Sequence, residues 1–320
     1  MEMEKVPQAG YKIEGIDIVG FNRSSLIKNF SLPFKLVKSF FQVCSILKHF
    51  QPDAAIGVGG YSSFPVLKVA QAKRIPTFIH ESNSFAGKSN ILLGKKATRI
   101  FVATDGMEKF FPRERILVTG NPVRASISQS AVTRSEGIKF FALDENKTTV
   151  FVVGGSLGAR SINEAIDKHL DELLHAGLQL IWQTGKPYAA KAKARAKGKT
   201  SVWVNEFITQ MEYAYAAADI VVSRAGAMAI AELCVVKKPV LFVPYPFAAE
   251  DHQTVNAKNL VSKYAALMVK DSEALDSVVP MILELSKDET KQNELKQNIG
   301  RLGINDADKR IADEVLKLIQ

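Results

Sequence analysis

The chain has 320 residues, a formal net charge of +9, 47% hydrophobic residues and 23% charged residues. This composition is typical of a globular protein and excludes a disordered or fibrous chain. The length exceeds what one hydrophobic core usually serves, so the sequence predicts two domains.

The amino terminus and the apolar runs predict neither export nor a membrane span. The first residues contain no basic segment followed by an apolar core, so we expect no secretory signal. The longest apolar runs, such as 241–243, are far too short to cross a bilayer. Cys44 and Cys234 sit among apolar neighbours, which predicts buried thiols in a reducing cytoplasm, without disulfide or zinc spacing.

Residues 32–47 predict one helix whose apolar sector spans about 200°, wider than the ~100° that faces one core. The residues that define its surface are Phe34, Val37, Phe40, Lys35 and Lys38, with Lys28 just upstream. The excess apolar surface predicts contact with a bilayer, where the lysines would meet anionic lipid. Burial between two neighbouring layers is the alternative.

Short apolar runs then alternate with helical stretches, the pattern of β–α units on a parallel sheet. We predict strands over 54–58, 76–80, 99–103 and 116–119. The segment 120–124 interrupts this pattern, which predicts a domain boundary and a first domain over 1–122.

Polar residues follow two of these strands. A glycine turn at 57–60 precedes Tyr61, and His80, Glu81 and Asn83 stand at the end of the next strand. Open α/β sheets bind ligands at the carboxyl ends of their strands, so these side chains predict sugar binding or acid–base chemistry. Taken singly, each is equally well explained as an ordinary loop residue.

A second series of strands is predicted over 149–153, 179–182, 201–204, 219–222 and 239–243. These runs are mostly apolar, as expected for strands covered by helices on both faces. We therefore expect a second domain over 123–303, with a helix at about 304–320 returning to the first domain. The predicted fold class is α/β, with two Rossmann-like doubly wound domains facing one cleft.

The sharpest motif is the turn at 154–160, between a strand and a helix. Its glycines let the backbone approach a ligand, and the helix amino terminus offers N–H groups to a phosphate, with Ser156 as a further donor. The turn fits neither the Gly-x-Gly-x-x-Gly register nor a P-loop. A tight turn without a ligand is the alternative.

Two further strand ends carry candidate polar side chains. Glu232 is a lone carboxylate on an apolar helix after the turn at 223–226, and can accept hydrogen bonds from both hydroxyls of a ribose. Gln253, in the polar cluster 250–253, can bind sugar hydroxyls. A surface glutamate and an ordinary polar helix start are the alternatives.

The densest basic run has an alanine-rich setting with no interleaved aromatic residues: Lys191, Lys193, Arg195, Lys197 and Lys199. This pattern favours a solvated helix end over a nucleic-acid site. No grouping of residues has convincing spacing for a metal ion.

Taken together, the motifs resemble the MurG family of bacterial glycosyltransferases along essentially the whole chain. The matching motifs are Gly59-Gly60-Tyr61, His80-Glu81-x-Asn83, Gly120-Asn121-Pro122-Val123-Arg124, Gly154-Gly155-Ser156-x-Gly158-Ala159-Arg160, Glu206-Phe207-Ile208, Arg224-x-Gly226-Ala227 with Glu232, and His252-Gln253 with Asn256-Ala257. Each match is weak alone, but the ordered set is specific.

The resemblance implies a GT-B fold and an inverting, metal-independent transfer of N-acetylglucosamine (GlcNAc) from UDP-GlcNAc, without a cofactor. The acceptor would be the C4 hydroxyl of N-acetylmuramic acid (MurNAc) in undecaprenyl-pyrophosphoryl-MurNAc-pentapeptide, so that lipid I becomes lipid II in peptidoglycan synthesis. The protein would be peripheral at the anionic cytoplasmic face of the bacterial inner membrane, with other cell-wall synthesis proteins among its candidate partners and no nucleic acid.

The resemblance also implies residue roles. Ser156 would meet the diphosphate, Ile208 the uracil and Glu232 the ribose, while Gln253 would contact the GlcNAc hydroxyls. The donor pocket would further include Asn83, Arg124, Ala227, Met228, Ala229, Ile230 and Ala231. Tyr61, His80 and Glu81 would line the acceptor side, and the helix at Phe34 and Phe40 would match the membrane-docking patch of the family.

The sequence departs from the family at its amino terminus. The family opens with a strand, a Gly-Gly-Thr-Gly-Gly-His loop and a helix, a unit on the order of 40 residues that is missing here. The histidine of that loop is the proposed catalytic base, so we expect this chain alone to be poorly active and its gene to start upstream. Leu157, Ser82, Ala229 and Ala231 replace polar residues of the family, which predicts weaker donor binding.

Three alternative functions share features with this sequence. A UDP-GlcNAc 2-epimerase shares the GT-B scaffold but needs neither an apolar helix nor a lipid acceptor. A sugar-nucleotide-binding fragment without catalysis would follow from the missing loop. A dehydrogenase is disfavoured by the register of the glycine turn.

Overall fold

The computed structural model describes residues 2–18 and 32–319, so Lys28 lies outside the described residues. The chain divides into two compact units. The first comprises Met1–Ser82, Ala86–Thr119 and Lys309–Gln320, and the second comprises Asn83–Phe85 and Gly120–Asp308.

The sheet of the first unit has four parallel strands within the described residues, in the order β1-β2-β3-β4. The strands are β1 (Ala55–Gly57), β2 (Thr77–Glu81), β3 (Arg99–Val102) and β4 (Ile116–Val118). The helices that precede or connect them are α1 (Glu2–Gln8), α2 (Leu32–Phe50), α3 (Gly60–Ala72) and α4 (Lys88–Gly94). Each strand therefore lies beside the next strand in the chain.

Alternate residues of these strands point to opposite faces, and both faces are covered. Ile79 and Ile100 pack with Leu67 of α3 and with residues of α2 and α4. Phe78 and Phe101 face the other way, with ring centroids 6.0 Å apart, and pack against the carboxyl-terminal helix Ala307–Ile319. Burial on both faces explains why these strands read as continuous apolar runs.

The second unit has a six-stranded parallel sheet, counted over the described residues, in the order β10-β9-β8-β5-β6-β7. The strands are β5 (Thr149–Val153), β6 (Gln179–Gln183), β7 (Val202–Asn205), β8 (Ile220–Ser223), β9 (Val240–Phe242) and β10 (Leu267–Met268). From β5 the chain runs outward through β6 and β7, and then returns to place β8 on the other side of β5. The carboxyl ends of β5 and β8 thus form a topological switch point, the usual ligand site of such sheets.

Helices cover both faces of this sheet. They are α5 (Ala125–Ser128), α6 (Arg134–Phe140), α7 (Arg160–Lys168), α8 (Leu170–His175), α9 (Lys186–Ala196), α10 (Met211–Ala217), α11 (Ala227–Val236), α12 (His252–Val261), α13 (Ala274–Lys287) and α14 (Glu289–Gly300). Phe151 and Val221 pack into the core under α10 and α11, while Val152 and Trp182 pack into the core under α7 and α13.

The strand predictions agree with the structure to within one residue at every end. Strand β10 was not predicted, because a two-residue strand gives no periodicity to detect. The prediction of two buried thiols is wrong for Cys44, which is exposed on α2. Cys234 is buried, and burial raises the pKa of its thiol to about 12.

The basic run on and after α9 is largely paired with acidic residues of the neighbouring helices. Lys191 lies 2.7 Å from Asp167, while Arg195 and Lys199 lie 2.7 and 2.9 Å from Asp171. Hydrogen bonds from Arg195 and Lys199 lower the pKa of Asp171 to about 2. These pairs support the interpretation of the run as a solvated surface.

Within residues 2–18 and 32–319, none of the helices has the length and apolar character needed to cross a bilayer.

Candidate functional site

A cavity of about 1020 Å³ opens at the switch point of the second unit. Its walls are the turn after β5, the segments after β8 and β9, and parts of α10, α11 and α12. The predicted residues that line it are Arg124, Ser156, Ile208, Ala229, Glu232 and Gln253. The cavity is large enough for a nucleotide sugar, since small-molecule sites usually measure about 300–1,000 Å³.

The turn after β5 can form only with glycine at two positions. A Cβ on Gly154 would lie 2.3 Å from the backbone nitrogen of Ala159, and a Cβ on Gly158 would lie 1.9 Å from the carbonyl oxygen of Thr184. Gly158 also has a φ of +76°, in the left-handed region that side chains disfavour. The close packing leaves Ser156 exposed to the cavity, just before α7.

Helix α7 brings its amino terminus to the same wall. Its first N–H groups have no acceptors within the helix, and the helix dipole adds partial positive charge there. Arg160, at the start of α7, is exposed and pairs with Glu164 at 2.7 Å. This end of the cavity therefore has the features of an anion site.

Glu232 also lines the cavity and is bound from two sides. Its Oε2 accepts a hydrogen bond of 2.9 Å from the hydroxyl of Tyr215, and its Oε1 lies 3.0 Å from Nη2 of Arg124. Glu232 is 8% exposed and Tyr215 3% exposed. Burial, and then the charge of Glu232, hold the pKa of Tyr215 well above its usual value, so the phenol stays a proton donor.

Only one side of α11 reaches the cavity. Gly226, Ala229 and Glu232 line it, and their spacing of three residues places them on one helix face. The lining, taken over the described residues, includes Ala229 but not Ala227, Met228, Ile230 or Ala231, and the predicted roles of these four in donor binding stay predictions. Helical geometry turns them elsewhere: Met228 is 43% exposed, and Ile230 packs on the core.

Gln183 links two walls of the cavity. Its Nε2 donates a hydrogen bond of 3.0 Å to the carbonyl of Gly155, and its Oε1 accepts one of 3.0 Å from the backbone N–H of Ile208. Ile208 is buried in the core with its edge on the cavity, next to the half-exposed Phe207. The sequence predicted Ile208 but gave no indication of Gln183.

Arg224 and Asp271 form a half-buried ion pair beside the turn. Arg224 also donates hydrogen bonds of 2.9 and 3.1 Å to the carbonyls of Val243 and Pro244, and one of 3.2 Å to the hydroxyl of Ser161. One guanidinium thus joins the ends of β8 and β9 to the start of α7. Asp271 was not predicted, because it follows β10, which the sequence did not reveal.

Gln253 lies at the start of α12 and lines the cavity, and its Oε1 accepts a hydrogen bond of 3.0 Å from the backbone of Tyr245. The two residues that lead into α12, Glu250 and Asp251, both have left-handed backbones, with φ of 54° and 51°. Such backbones are costly for residues other than glycine. The approach to Gln253 is therefore a specific, strained turn.

The family follows from comparison with known proteins. Residues 149–311 match the glycosyltransferase family 28 C-terminal domain, and residues 1–102 match the glycosyltransferase family 28 N-terminal domain. The chain belongs to glycosyltransferase family 28. The prediction of a glycosyltransferase is thereby confirmed.

A sequence relative of this family 28 chain and a similar solved structure narrow the comparison to one enzyme. A protein of Phocaeicola vulgatus described as UDP-N-acetylglucosamine--N-acetylmuramyl-(pentapeptide) pyrophosphoryl-undecaprenol N-acetylglucosamine transferase is 48% identical over 99% of this chain and 85% of its own length. The crystal structure of Acinetobacter baumannii MurG has a TM-score of 0.80 at 28% identity, covering 99% of this chain and 88% of that chain. The predicted resemblance to the MurG family is confirmed.

The UDP-GlcNAc 2-epimerase of Neisseria meningitidis, solved with UDP-GlcNAc bound, has a TM-score of 0.61 at 16% identity, over 90% of this chain and 82% of that chain. Similarity at this identity shows the fold alone. The predicted GT-B fold, with two α/β domains on parallel sheets, is confirmed, and the relatives favour the transferase over the epimerase alternative.

Asn83 was expected on the first domain, but it belongs to the second unit of this family 28 chain. Its Oδ1 accepts a hydrogen bond of 3.1 Å from the buried Asn256, which also accepts one of 2.8 Å from the backbone of Ser84. Among the described residues that line the cavity, Asn83 does not occur. Asn256, which the sequence showed only as part of a motif, is the residue that holds this segment.

The expected acceptor-side residues lie in the first unit with unequal exposure. Tyr61 is 54% exposed at the start of α3, whereas His80 and Glu81 are 6% and 4% exposed at the end of β2. Glu81 accepts hydrogen bonds of 3.0 and 2.8 Å from the backbone of Gly87 and the side chain of Asn90. Glu81 therefore supports the loop before α4.

Helix α2 carries an exposed apolar stripe, here called the α2 stripe, of Phe34, Val37 and Phe41. Phe40, which is also predicted for this surface, is half-buried and packs edge-on against Phe64, and the membrane patch as a whole stays a prediction. Phe40 and Phe41 differ by about 100° in direction around the helix, which is enough to turn Phe40 toward the core while Phe41 stays exposed. Lys35 and Lys38 lie 3.7 and 2.9 Å from Asp17.

Proposed function

We propose that this chain transfers GlcNAc from UDP-GlcNAc to the C4 hydroxyl of MurNAc in undecaprenyl-pyrophosphoryl-MurNAc-pentapeptide, with inversion at the anomeric carbon. The observation that carries the proposal is the cavity of the second unit, which combines an anion site at the turn after β5 with a buried carboxylate at Glu232. A nucleoside diphosphate needs this pair of features. The name of the 48%-identical relative supplies the sugar and the acceptor.

The donor is proposed to lie across the cavity with its uracil beside Ile208 and Phe207, its ribose on Glu232 and its diphosphate at Ser156 and the start of α7. Gln253 then faces the GlcNAc hydroxyls, and Arg124 lies near the nucleotide. A carboxylate with two acceptor oxygens suits the two neighbouring hydroxyls of a ribose.

The same arrangement gives the reaction its leaving-group stabilisation. When the C4 oxygen of the acceptor bonds to the anomeric carbon, the bond from that carbon to the β-phosphate oxygen breaks, negative charge grows on UDP, and the proton of the hydroxyl passes to solvent. The N–H groups at the start of α7 are already oriented toward that charge, so they stabilise it without rearranging. The hydroxyl of Ser156 adds one more donor at the same place.

The first unit is proposed to bind the acceptor and to dock on the membrane. Residues 1–122 are then the acceptor domain and residues 123–303 the donor domain. Tyr61, His80 and Glu81 are assigned to the acceptor side. The α2 stripe, with Lys35 and Lys38 beside it, is proposed to dock on the anionic cytoplasmic face of the inner membrane.

The transfer is tested with UDP-GlcNAc and a water-soluble, short-chain analogue of lipid I. We expect slow UDP release that depends on the acceptor, in line with the low activity expected of this chain alone, together with a β-linked disaccharide detected by mass spectrometry and NMR. Formation of UDP-N-acetylmannosamine without an acceptor would instead identify an epimerase. Tight calorimetric binding of UDP-GlcNAc with neither product would identify a binding protein without catalysis.

Membrane docking is tested by flotation with vesicles of zwitterionic lipid containing or lacking anionic lipid. We expect the chain to float with anionic vesicles and the triple variant Phe34→Ser, Val37→Ser, Phe41→Ser to remain at the bottom. Leu316→Ser, which alters an exposed apolar residue on another helix, is the matched control and should float as the unchanged chain does. Equal flotation of the triple variant would contradict the docking proposal.

A further inference from the structure

Tyr215 lies at the wall of the cavity, although the residues around it in the sequence give no sign of a binding site. It lies on α10 in an alanine-rich stretch, yet its hydroxyl reaches the cavity wall and its ring is packed edge-on against Phe151 with centroids 5.7 Å apart. The ring is therefore fixed by the core, and the hydroxyl is fixed with it.

The hydroxyl of Tyr215 sets the direction of the Glu232 carboxylate. A glutamate side chain has a broad range of terminal torsion angles, so its two oxygens are not oriented by the helix alone. Here Tyr215 donates to Oε2 at 2.9 Å and Arg124 to Oε1 at 3.0 Å. The two donors hold the plane of the carboxylate in one orientation.

The two donors differ in how firmly they are themselves held. The side chain of Arg124 is 58% exposed, and an exposed arginine keeps many rotamers and is screened by water. Tyr215 is 3% exposed and packed on the core, so its hydroxyl loses almost no entropy in making its hydrogen bond. Tyr215 is therefore the more rigid of the two supports.

A carboxylate has about four acceptor positions, and the two supports occupy one on each oxygen. The remaining position on each oxygen matches the two neighbouring hydroxyls of a ribose, one per oxygen. Rotation of the carboxylate would break that match, because both hydroxyls must be met at the same time.

From this geometry we propose that Tyr215 is a positioning residue that makes the site specific for a ribonucleotide over a 2′-deoxyribonucleotide, by fixing the Glu232 carboxylate. This inference rests on the proposed function, since it assumes that a uridine nucleotide occupies the cavity. In this proposal Tyr215 acts through Glu232, to which its hydroxyl donates.

The test compares the binding of UDP and of 2′-deoxy-UDP by calorimetry. The unchanged chain should bind UDP about tenfold more tightly than 2′-deoxy-UDP, the effect expected of one hydrogen bond to a charged group. Tyr215→Phe keeps the ring and removes the hydroxyl. We expect it to weaken UDP binding about five- to tenfold and to leave 2′-deoxy-UDP binding within about twofold, so that the preference is largely lost.

The matched control is Tyr213→Phe, on the same helix. Tyr213 is half-buried, stacks on Phe140 with centroids 4.6 Å apart, and lies outside the cavity lining. This variant should keep both affinities and the full preference. In turnover assays Tyr215→Phe should raise the KM for UDP-GlcNAc with kcat nearly unchanged, a split that general loosening of the fold would not produce.

The possible outcomes separate the inference from the proposed function. If the unchanged chain binds neither nucleotide, the proposed donor site is wrong. If it prefers UDP and Tyr215→Phe keeps that preference, or weakens both nucleotides equally, the inference is overturned while the donor site stands.

A second variant covers the case in which Tyr215→Phe does not fold. Glu232→Gln should also lose the preference for UDP, and where both variants fold, the double variant should be no worse than Glu232→Gln alone. Full preference in Glu232→Gln would refute the proposal regardless of how Tyr215→Phe behaves.

Discussion

Both sheets of this chain present polar residues at the carboxyl ends of parallel strands, but these residues have different surroundings in the two units. In the second unit the strand ends surround an open cavity, and the polar groups there are held by residues behind them. In the first unit His80 and Glu81 are buried at the end of β2, and Glu81 holds the loop before α4.

The strand order explains the difference. In the described part of the first unit each strand lies beside its successor, so the connections all leave in the same direction. In the second unit the order reverses between β5 and β8, and the two connections diverge. A crevice opens where connections diverge, and in the second unit several sequence motifs line the cavity at that point.

The largest effect that would test this comparison is expected at Gly158. In Gly158→Ala a Cβ would collide with the carbonyl of Thr184, and the backbone is already left-handed, so the turn must reorganise. We expect UDP-GlcNAc affinity to fall about 100-fold or more, a change of ~3 kcal/mol. Gly198→Ala, which has the same backbone but open space around it, is the control and should bind normally in calorimetry.

A smaller loss is expected when Arg224 is replaced by lysine. An ammonium group cannot hold Asp271, Ser161 and two carbonyls in the geometry of the guanidinium fork. Donor affinity should fall about 10- to 30-fold, because the start of α7 is no longer held to the ends of β8 and β9. Replacing the exposed Arg301 by lysine should change nothing, and equal losses in the two variants would argue against a specific role for Arg224.

Glu81→Ala tests the other side of the comparison. The change leaves the buried side chain of Asn90 and the backbone of Gly87 without this acceptor, which should lower the free energy of unfolding by about 2 kcal/mol. Urea titration measures that loss, and calorimetry should show unchanged UDP binding. A large drop in UDP affinity would mean that the two units do not divide structure and donor binding as described.

The last effect is a pH dependence of stability at Lys238, which does not line the cavity. Burial lowers the pKa of Lys238 to about 8 from a usual value of 10.5, although its ammonium donates to the carbonyls of Ala216 and Ala218. The unfolded chain then holds more protons than the folded chain between about pH 8 and 10.5, so this residue makes stability rise with pH in that window.

Lys238→Met should remove that contribution. The difference in urea midpoint between the unchanged chain and the variant should shift in favour of the unchanged chain from pH 7.5 to pH 10, with nucleotide affinity at pH 7.5 equal in both. A difference that stays constant with pH would show that Lys238 titrates normally in the folded state.

The sequence predicted the strands well because burial on both faces makes each a continuous apolar run between glycine- or proline-containing breaks. It also predicted one site for Ser156, Ile208, Glu232 and Gln253, because each lies in a segment that follows a strand of the second sheet, whereas Arg124 comes from the segment after β4. The side of a helix that meets the site was not predictable in the same way. Within α11, an almost wholly apolar segment, no polar face indicated which residues turn toward the cavity.

The residues that hold the cavity lining from behind could not be predicted from the sequence, for a related reason. Tyr215 and Gln183 sit within apolar elements and look like core positions, and their roles arise from partners 17 and 25 residues away. Likewise, Phe40 and Phe41 both fall within the apolar sector of α2. Only the position of Phe64 on the neighbouring helix decides which of them is covered.

Gln183 joins the Gly155 and Ile208 segments of the cavity lining through a single amide group. A ligand that orders one of these segments also restricts the other. Two fragments of a nucleotide sugar should therefore not bind independently. Uridine and inorganic pyrophosphate should each bind more tightly when the other is present, and by reciprocity the gain must be the same for both. An inhibitor that spans both segments would therefore exceed the summed strength of its halves.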